Sequence, residues 1–487
     1  MQPESINAPP GPDPRRWKAL ALLGTAFFMV ILDATIVLTA IPSMQQDLGF
    51  TVSGVQWVLT AYALTFAGLM LFFGRMADLL GRRRVFMAGL ALFIASSIMC
   101  GAAWSAEVLV AARSLQGLSA AIMAPTALSI VVATFSDSAE RNKALGVWGG
   151  LGGVGATAGL LLGGLITDGL GWEWIFYLNV PVGLVILALC PVLLRESRER
   201  AAGKKFDVVG AITITVAPLL IAYAVIQAPE SGWASATTIG LLLAALAVLV
   251  LFVFVESRSA APLVPLRIFR NRTLVGGNLL MLVVGLTVDG MLFPLTLYAQ
   301  QVLRYSALQF GLISAVMTVM SVVGAFAGQA LVTRLGIRPI AIAGTLLIGA
   351  GCLLLIPVSV NGSFGDMVWG LLLFGPGMGA VFVAAQIAAL TGVPEEESGL
   401  AAGLVDTLFN IGSALGIATV TSVAIAVAGE PADSIAALND GLRAAFALAA
   451  VFAALGLAVA LFVLTRPAEV ANDTAVSEPV STAGGPA

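Results

Sequence analysis

From Lys18 to Thr465 the chain is a succession of apolar runs, and no fold can ignore them. Fourteen are counted, approximately 18–42, 54–74, 85–104, 107–134, 145–169, 174–194, 208–228, 235–256, 274–302, 308–331, 339–359, 367–391, 399–427 and 443–465. A helix needs about 20 apolar residues to cross the hydrocarbon of a bilayer. The polar connections are short, and none reads as a separate soluble domain. Of the 487 residues, 59% are hydrophobic and 10% charged, against about 25% charged in soluble domains. So few polar side chains cannot cover a water-facing surface. The expected class is an all-α polytopic membrane protein with fourteen transmembrane helices.

Orientation follows from Lys and Arg, which collect on the cytoplasmic side. With the amino terminus inside, 21 of the 24 basic residues fall in cytoplasmic segments. Arg304 and Arg443 fall outside, and Arg113 lies within a run. Shifting the frame by one helix scrambles this asymmetry. A plasma-membrane protein with both termini cytoplasmic is expected, with the lipid bilayer as its surroundings. Residues 1–17 and 467–487 read as disordered tails. Arg15, Arg16 and Lys18 resemble the basic start of a signal peptide. The run after them is too long for one and lacks a small-residue cleavage site, so a retained first helix is expected.

Several function classes lose support. There is no basic stripe with interleaved aromatics to suggest nucleic-acid binding. Histidine, the commonest metal ligand, is absent. Cys100, Cys190 and Cys352 lie far apart inside apolar runs and read as small filler, with no disulfide or metal site. Gly150-Leu-Gly-Gly-Val-Gly155 matches the dinucleotide fingerprint, but that motif needs a preceding strand and lies here inside a membrane run. No phosphate-binding Gly-x4-Gly-Lys-Ser/Thr occurs, so no ATP motor is visible and no cofactor is expected.

A faint internal repeat is present. Gly74-Arg-Met-Ala-Asp-Leu-Leu-Gly81-Arg-Arg follows the second run, and Gln329-Ala-Leu-Val-Thr-Arg-Leu-Gly336-Ile-Arg338 follows the tenth. Aligned on Gly81 and Gly336, Arg83 matches Arg338. The spacing predicts two pseudo-symmetric six-helix bundles, 18–194 and 273–466, with two inserted linker helices in 195–272. Parallel halves of this kind are a known transporter plan.

The loop after the second run resembles the signature of the major facilitator superfamily, Gly-x-Leu-Ala-Asp-x-x-Gly-Arg-Arg, with Met76 for the usual Leu. Leu32-Asp-Ala-Thr-Ile-Val-Leu-Thr-Ala-Ile-Pro42 is similar to the first-helix signature of its fourteen-helix drug:proton antiporter branch, with Leu38 for the usual Asn. Arg113-Ser-Leu-Gln116-Gly117 resembles the fourth-helix motif, and Trp172 to Gly183 resembles the branch's sixth-helix opening. One departure stands out. Helix five reads Gly159-Leu-Leu-Leu-Gly-Gly164, with Leu160 where the antiporter signature has a helix-bending proline. Gly155, Gly159 and Gly163 still repeat every four residues, a smooth stripe for close helix packing.

Apart from charges at the very ends of the runs, four lie inside them: Asp33, Arg113, Asp289 and Asp406. A charge at bilayer depth costs a few kcal/mol and marks function by default. At about 1.5 Å per residue, Asp33 and Arg113 lie at about 13 and 9 Å from the outer side. Similar depths permit a pair if the faces agree. A carboxyl whose hydration and partner change with conformation can load a proton on one side and release it on the other. Asp33 with Arg113 is therefore the expected proton-coupling pair. Asp289, Asp406 and Asn410 are candidates for binding a small amphiphilic or cationic substrate, with Trp57, Tyr62 and Gln116 as further pocket residues. The stretch Gly403 to Gly412 resembles one that carries neutral polar residues in the family, and Asp406 replaces one of them. Gly74, Asp78, Gly81, Arg82 and Arg83 are implied by the resemblance as conformational gating residues.

The resemblance implies a secondary transporter working by alternating access: proton-coupled efflux of drugs or an antibiotic, driven by the proton gradient. A monomer is expected. A facilitator or symporter for another small organic solute is the alternative. An intramembrane enzyme would need paired carboxylates in one motif or a histidine cluster, which are missing. A channel is the remaining possibility.

Overall fold

The computed structural model describes residues 14–135, 138–196, 207–259, 262, 267, 270–391, 398–429 and 432–464. No strand occurs among them. The helices are α1 Arg16–Leu48, α2 Val52–Val55, α3 Trp57–Leu80, α4 Arg82–Gly101, α5 Ala106–Thr134, α6 Ser138–Leu170, α7 Trp174–Tyr177, α8 Asn179–Leu193, α9 Val208–Ser231, α10 Ala236–Arg258, α11 Arg272–Leu297, α12 Ala307–Leu335, α13 Ile337–Leu355, α14 Phe364–Leu390, α15 Ser398–Ala428 and α16 Ile435–Phe462. A π-helical turn, Tyr298–Val302, extends α11.

Each of the fourteen apolar runs coincides with helix. Among the described residues, twelve helical segments are long and apolar enough to cross a membrane. Two shorter apolar stretches, Val154–Leu170 and Ile212–Ala228, belong to α6 and α9. The first helix starts two residues earlier than the run, because Arg16 reaches Glu140 at 2.9 Å and Trp17 packs edge-on against Phe135. The tails from 1 to 13 and 465 to 487 and the acidic run Glu395 to Glu397 lie outside the described residues.

Local chemistry sets the helix ends. The end of the molecule bearing α1's first turn is called the near end, and the opposite one the far end. Four helices that start at the far end, α5, α10, α12 and α16, have serine N-caps: Ser105, Ser235, Ser306 and Ser434 accept backbone N–H groups that the first turn cannot satisfy. At the near end, Gly81 (φ 106°) turns α3 into α4 and Gly336 (φ 88°) turns α12 into α13, a backbone region closed to most side chains. The repeat extends to the side chains. Arg83 donates to the carbonyl of Leu194 beyond α8, and Arg338 to that of Ala460 in α16. Each arginine closes the free carbonyls at the end of its half's last helix.

Helices α1 and α3 to α8 pack together, as do α11 to α16. One apolar cluster fills the interior of the first group, with Leu23, Phe86, Phe93 and Ile186 at its centre. A second runs from Phe293, Phe310, Phe374 and Phe446 across to Ile36, Ile41 and Met44 of α1, so the two groups share a core at the far end. Helix α9 fits between α3 and α15, where Ala222 meets Leu64 and Ala414. The Ser422 hydroxyl on α15 donates to the Val225 carbonyl on α9. Helix α10 leans on α9 and, among the described helices, has the highest mean hydropathy, 3.0, with most of its side chains exposed. A helix apolar all round, with protein on one side alone, is suited to lipid on the others.

Polar contacts hold the far end across the two groups. Gln300 Nε2 donates to the Thr39 carbonyl at 2.9 Å, and Gln301 Nε2 to Gln45 Oε1 at 2.7 Å. The Asp168 carboxylate of α6 accepts the first N–H groups of α12, from Ala307 at 3.1 Å and Leu308 at 3.0 Å. Gly164 and Gly311 let these helices touch backbone to backbone. Gly155, Gly159 and Gly163 face α1 and give α6 the same closeness there. With Leu160 in place of proline, α6 runs as one helix through this stretch.

A side chain at Gly159 has no room: its Cβ would lie 2.9 Å from the Leu32 carbonyl oxygen and 3.1 Å from the Ile36 nitrogen. Overpacking typically costs about 1–3 kcal/mol. Gly159→Val is expected to lower the thermal unfolding midpoint of the detergent-purified protein by several degrees. Gly240→Ala, in open space on α10, should leave it unchanged; equal midpoints for both variants would contradict the α1–α6 contact.

Candidate functional site

Arg113 and Gln116 sit three residues apart on α5 and so share a face. Gly117 beside them lies against the Tyr62 backbone of α3, where any Cβ would overlap it. The motif thus combines two polar arms with the close approach that lets them reach α1. Arg113 Nη1 donates to Asp33 Oδ2 at 2.7 Å, and both side chains are wholly withdrawn from solvent. Gln116 Nε2 donates to Asp33 Oδ1 at 2.8 Å, and Asn179 Nδ2, at the start of α8, donates to the same oxygen at 2.7 Å. Arg113 is held in turn. Its Nε donates to the Val58 carbonyl at 2.9 Å and its Nη1 also to Gln116 Oε1 at 2.7 Å. Its guanidinium carbon lies 4.2 Å from the centre of the Tyr62 ring, within cation–π range. Ser97 on α4 accepts from Gln116 Nε2 at 2.9 Å.

Burying an ion pair costs several kcal/mol per ion, recovered only with good geometry and further hydrogen bonds. Here three donors meet the carboxylate from two helices besides its own. The arrangement can hold a negative charge on Asp33, and any loss of that charge releases Arg113.

The second group carries a looser arrangement. Asp289 on α11 accepts a hydrogen bond from Ser413 on α15. Asp406, Asn410 and Ser413 recur at spacings of four and three, one stripe on α15. Asn410 donates to the backbone carbonyl of Asp406 at 2.8 Å, and the Asp406 carboxylate accepts no hydrogen bond among the described residues. Glycines again allow the contact: Gly285, Gly412 and Gly416 face the backbone of the opposite helix.

The remaining sequence candidates are placed as follows. Tyr62 and Gln116 join the Asp33 cluster. Trp57 does not: its ring sits 6.4 Å from Tyr223 and packs with α9 and Ala418 of α15. Gly74 faces Pro125 of α5. Gly81 turns the chain, and Glu196 accepts the Arg83 N–H at 3.2 Å and lies 3.7 Å from the Arg83 guanidinium. Arg84 approaches the same carboxylate at 3.6 Å, and Arg82 starts α4. The side chain of Asp78 lies outside the described residues.

Asn179, Ser97, Ser413 and Glu196 are the contributors that sequence reasoning missed. Asn179 stands within the stretch Trp172 to Gly183, and an amide inside an apolar run was its available signal. Ser97 offered only a hydroxyl in an apolar helix. Cys100, read as filler, donates its S–H to Gln116 Oε1 at 3.5 Å.

Comparison with known proteins gives concordant results. A profile of the Major Facilitator Superfamily matches residues 23–417. The puromycin resistance protein pur8 of Streptomyces alboniger is 37% identical over 451 residues, covering 91% of this chain and 89% of that one. The cephamycin export protein CmcT of Amycolatopsis lactamdurans is 37% identical over 457 residues, covering 92% of each. A crystal structure of a bacterial homologue of the human lysosomal transporter Spinster, inward-facing and unoccupied, superposes with a TM-score of 0.65 at 17% identity, covering 93% of this chain and 98% of that chain.

Removing one partner of a buried pair costs about 3–5 kcal/mol, because the other charge is stranded. Arg113→Leu is expected to lower the unfolding midpoint sharply, and Asp33→Asn added to it should restore most of the loss. Purely additive losses in this double-mutant cycle would mean that the two groups do not interact.

Proposed function

Because the chain belongs to the major facilitator superfamily, where it is a transporter and not an enzyme, we propose that it is a proton-driven exporter of small amphiphilic antibiotics or drugs, cationic ones among them. The observation that carries the coupling is the Asp33–Arg113 pair, wholly buried and held by Gln116 and Asn179. A proton arriving on Asp33 cancels the charge that holds Arg113, and the surrounding helices are freed to rearrange. Deprotonation restores the clamp. The names of the relatives supply the substrate class: puromycin resistance and cephamycin export.

The working arrangement is fourteen crossings, with bundles 18–194 and 273–466, linker helices in 195–272 and both termini in the cytoplasm of a plasma-membrane protein acting as a monomer. In this frame the far end is the outer side, closed by Asp168, Gln300 and Gln301. Alternating access then requires those inter-bundle bonds to break while the near end closes. Asp406 and Asn410 on α15, with Asp289 facing them from α11, serve the substrate, since an acid with no fixed cation among the described residues is free to receive a cationic one. Tyr62 and Gln116 serve the coupling pair that they touch, Trp57 the seam with α9, and Gly74, Asp78, Gly81, Arg82 and Arg83 the near-end gate.

Two transport experiments test this. In proteoliposomes, Asp33→Asn is expected to abolish uphill, proton-driven export while substrate counterflow continues; undiminished uphill export would instead favour a carrier coupled elsewhere or not at all. Asp406→Asn and Asp289→Asn are expected to lower export of cationic compounds selectively. An unchanged ratio of cationic to neutral export would remove the acids from recognition.

A further inference from the structure

Asn179 is 1% exposed, and its side chain is half used: Nδ2 donates to Asp33, and Oδ1 has no hydrogen-bond partner. Leaving a buried acceptor unsatisfied forfeits its hydration with no return, and so calls for a reason. We propose that Asn179 is a positioning residue for proton exchange at Asp33: its amide donates to the carboxylate when Asp33 is charged and turns over to accept the O–H when Asp33 is protonated. This rests on the reading of Asp33 as the coupling acid.

The donor and acceptor inventory carries the proposal. A charged carboxylate only accepts, and three donors point at Asp33: Arg113 Nη1, Gln116 Nε2 and Asn179 Nδ2. A protonated carboxyl gains one donor and needs an acceptor. Arg113 has none to offer. The Gln116 oxygen already receives Arg113 Nη1 and the Cys100 S–H. The Ser97 hydroxyl oxygen already accepts from Gln116 at 2.9 Å and faces Asn179 Nδ2 at 3.4 Å. The Asn179 oxygen is the open acceptor, on a side chain already in contact with the acid. Its terminal torsion is broad and roughly two-fold, so half a turn exchanges donor for acceptor without moving the helix.

The surroundings leave this role to a neutral group. Arg113 of α5 is the charge that faces Asp33, Tyr62 of α3 lies on Arg113, and Cys100 of α4 reaches the cluster through Gln116. Helix α6 presents Gly155, Gly159 and Gly163 to α1, and α8 presents the amide. Asn179 also opens α8, just after the segment whose Trp172 Nε1 donates to Asp47 Oδ2 at 2.9 Å. One short stretch of chain therefore grips α1 at two acids, and the state of one amide bears on its attachment.

Infrared difference spectra of the full-length protein in liposomes, taken on lowering the pH, test the proposal. The carbonyl band of protonated Asp33 is identified by its disappearance in Asp33→Asn. Asn179→Leu, of similar size but without hydrogen bonds, is expected to move that band to higher frequency. It should also cut uphill export about ten-fold or more, the scale of one hydrogen bond to a charged group, with counterflow retained. Asn179→Ser, whose hydroxyl both donates and accepts, should restore uphill export in part and also guards against misfolding of the leucine variant. A band at the wild-type frequency in both Asn179 variants, or parallel loss of counterflow and uphill export in both, overturns the role of Asn179. A spectrum that Asp33→Asn leaves unchanged overturns the premise about Asp33 itself.

Discussion

A carboxylate and a guanidinium, both cut off from solvent, meet at 2.7 Å between α1 and α5. Neither tolerates that place alone, because the loss of hydration exceeds what one contact returns. Their neighbours are therefore tied to one geometry. The Val58 carbonyl of α3, Ser97 of α4, Gln116 of α5 and Asn179 of α8 each satisfy a group of the pair or of its partners. Five helices must stand within hydrogen-bond reach of a single point. Gly117, Gly159 and Gly163 make that possible by removing side chains where backbones touch. On the proposed mechanism, the pair converts one proton into a change in the way those helices are held together.

The two halves of the molecule treat their acids differently. In the first, Asp33 has a fixed cation and three donors. In the second, Asp289 has a hydroxyl and the Asp406 carboxylate has no hydrogen-bond partner among the described residues. On the proposed reading, the first arrangement serves the proton and the second a mobile cation. Between the halves, the ties at the far end are hydrogen bonds from amides to a backbone carbonyl and another amide, and from backbone N–H groups to Asp168. A carboxylate at the start of a helix meets both the free N–H groups and the positive end of the helix dipole. Farther from that end, the Thr407 hydroxyl of α15 donates to the Ala67 carbonyl of α3 at 3.3 Å, and a rocking motion has to exchange these hydrogen bonds for others.

The legible part of the fold was the part governed by hydrophobicity. Runs of apolar residues read as helices because unpaired backbone groups are intolerable in hydrocarbon, and every run falls on helix, although twelve of the described segments rather than fourteen are long and apolar enough to cross a membrane. The loops at Gly81 and Gly336 were readable as equivalent from spacing alone, and their positive φ angles and matched arginines agree. Within the site, Asp33 and Arg113 stood out because charges in such runs are rare, and depth counting placed them at similar levels. Asn179 and Ser97 did not stand out, since neutral polar residues are common in apolar helices and their partners lie up to 146 residues away. Trp57 was readable as a pocket aromatic or a packing residue, and its contact with Tyr223 of α9 came only from the approach of a helix that the repeat does not contain.

By itself the sequence determined that this chain lives in a bilayer as a bundle of helices, and which few residues carry charge inside it. Those properties depend on composition and on order along the chain, and a linear string records both. Which helix face meets which was left to the tertiary structure. It brought Asp33, Arg113, Gln116 and Asn179 to one point from three helices, left Asp406 without a counter-charge among the described residues, and set Asp168 on the first turn of a helix in the other half. A span's rotation about its own axis and its neighbours are chosen by side-chain fit and by the need to satisfy each buried polar group. That choice is made among all the helices at once.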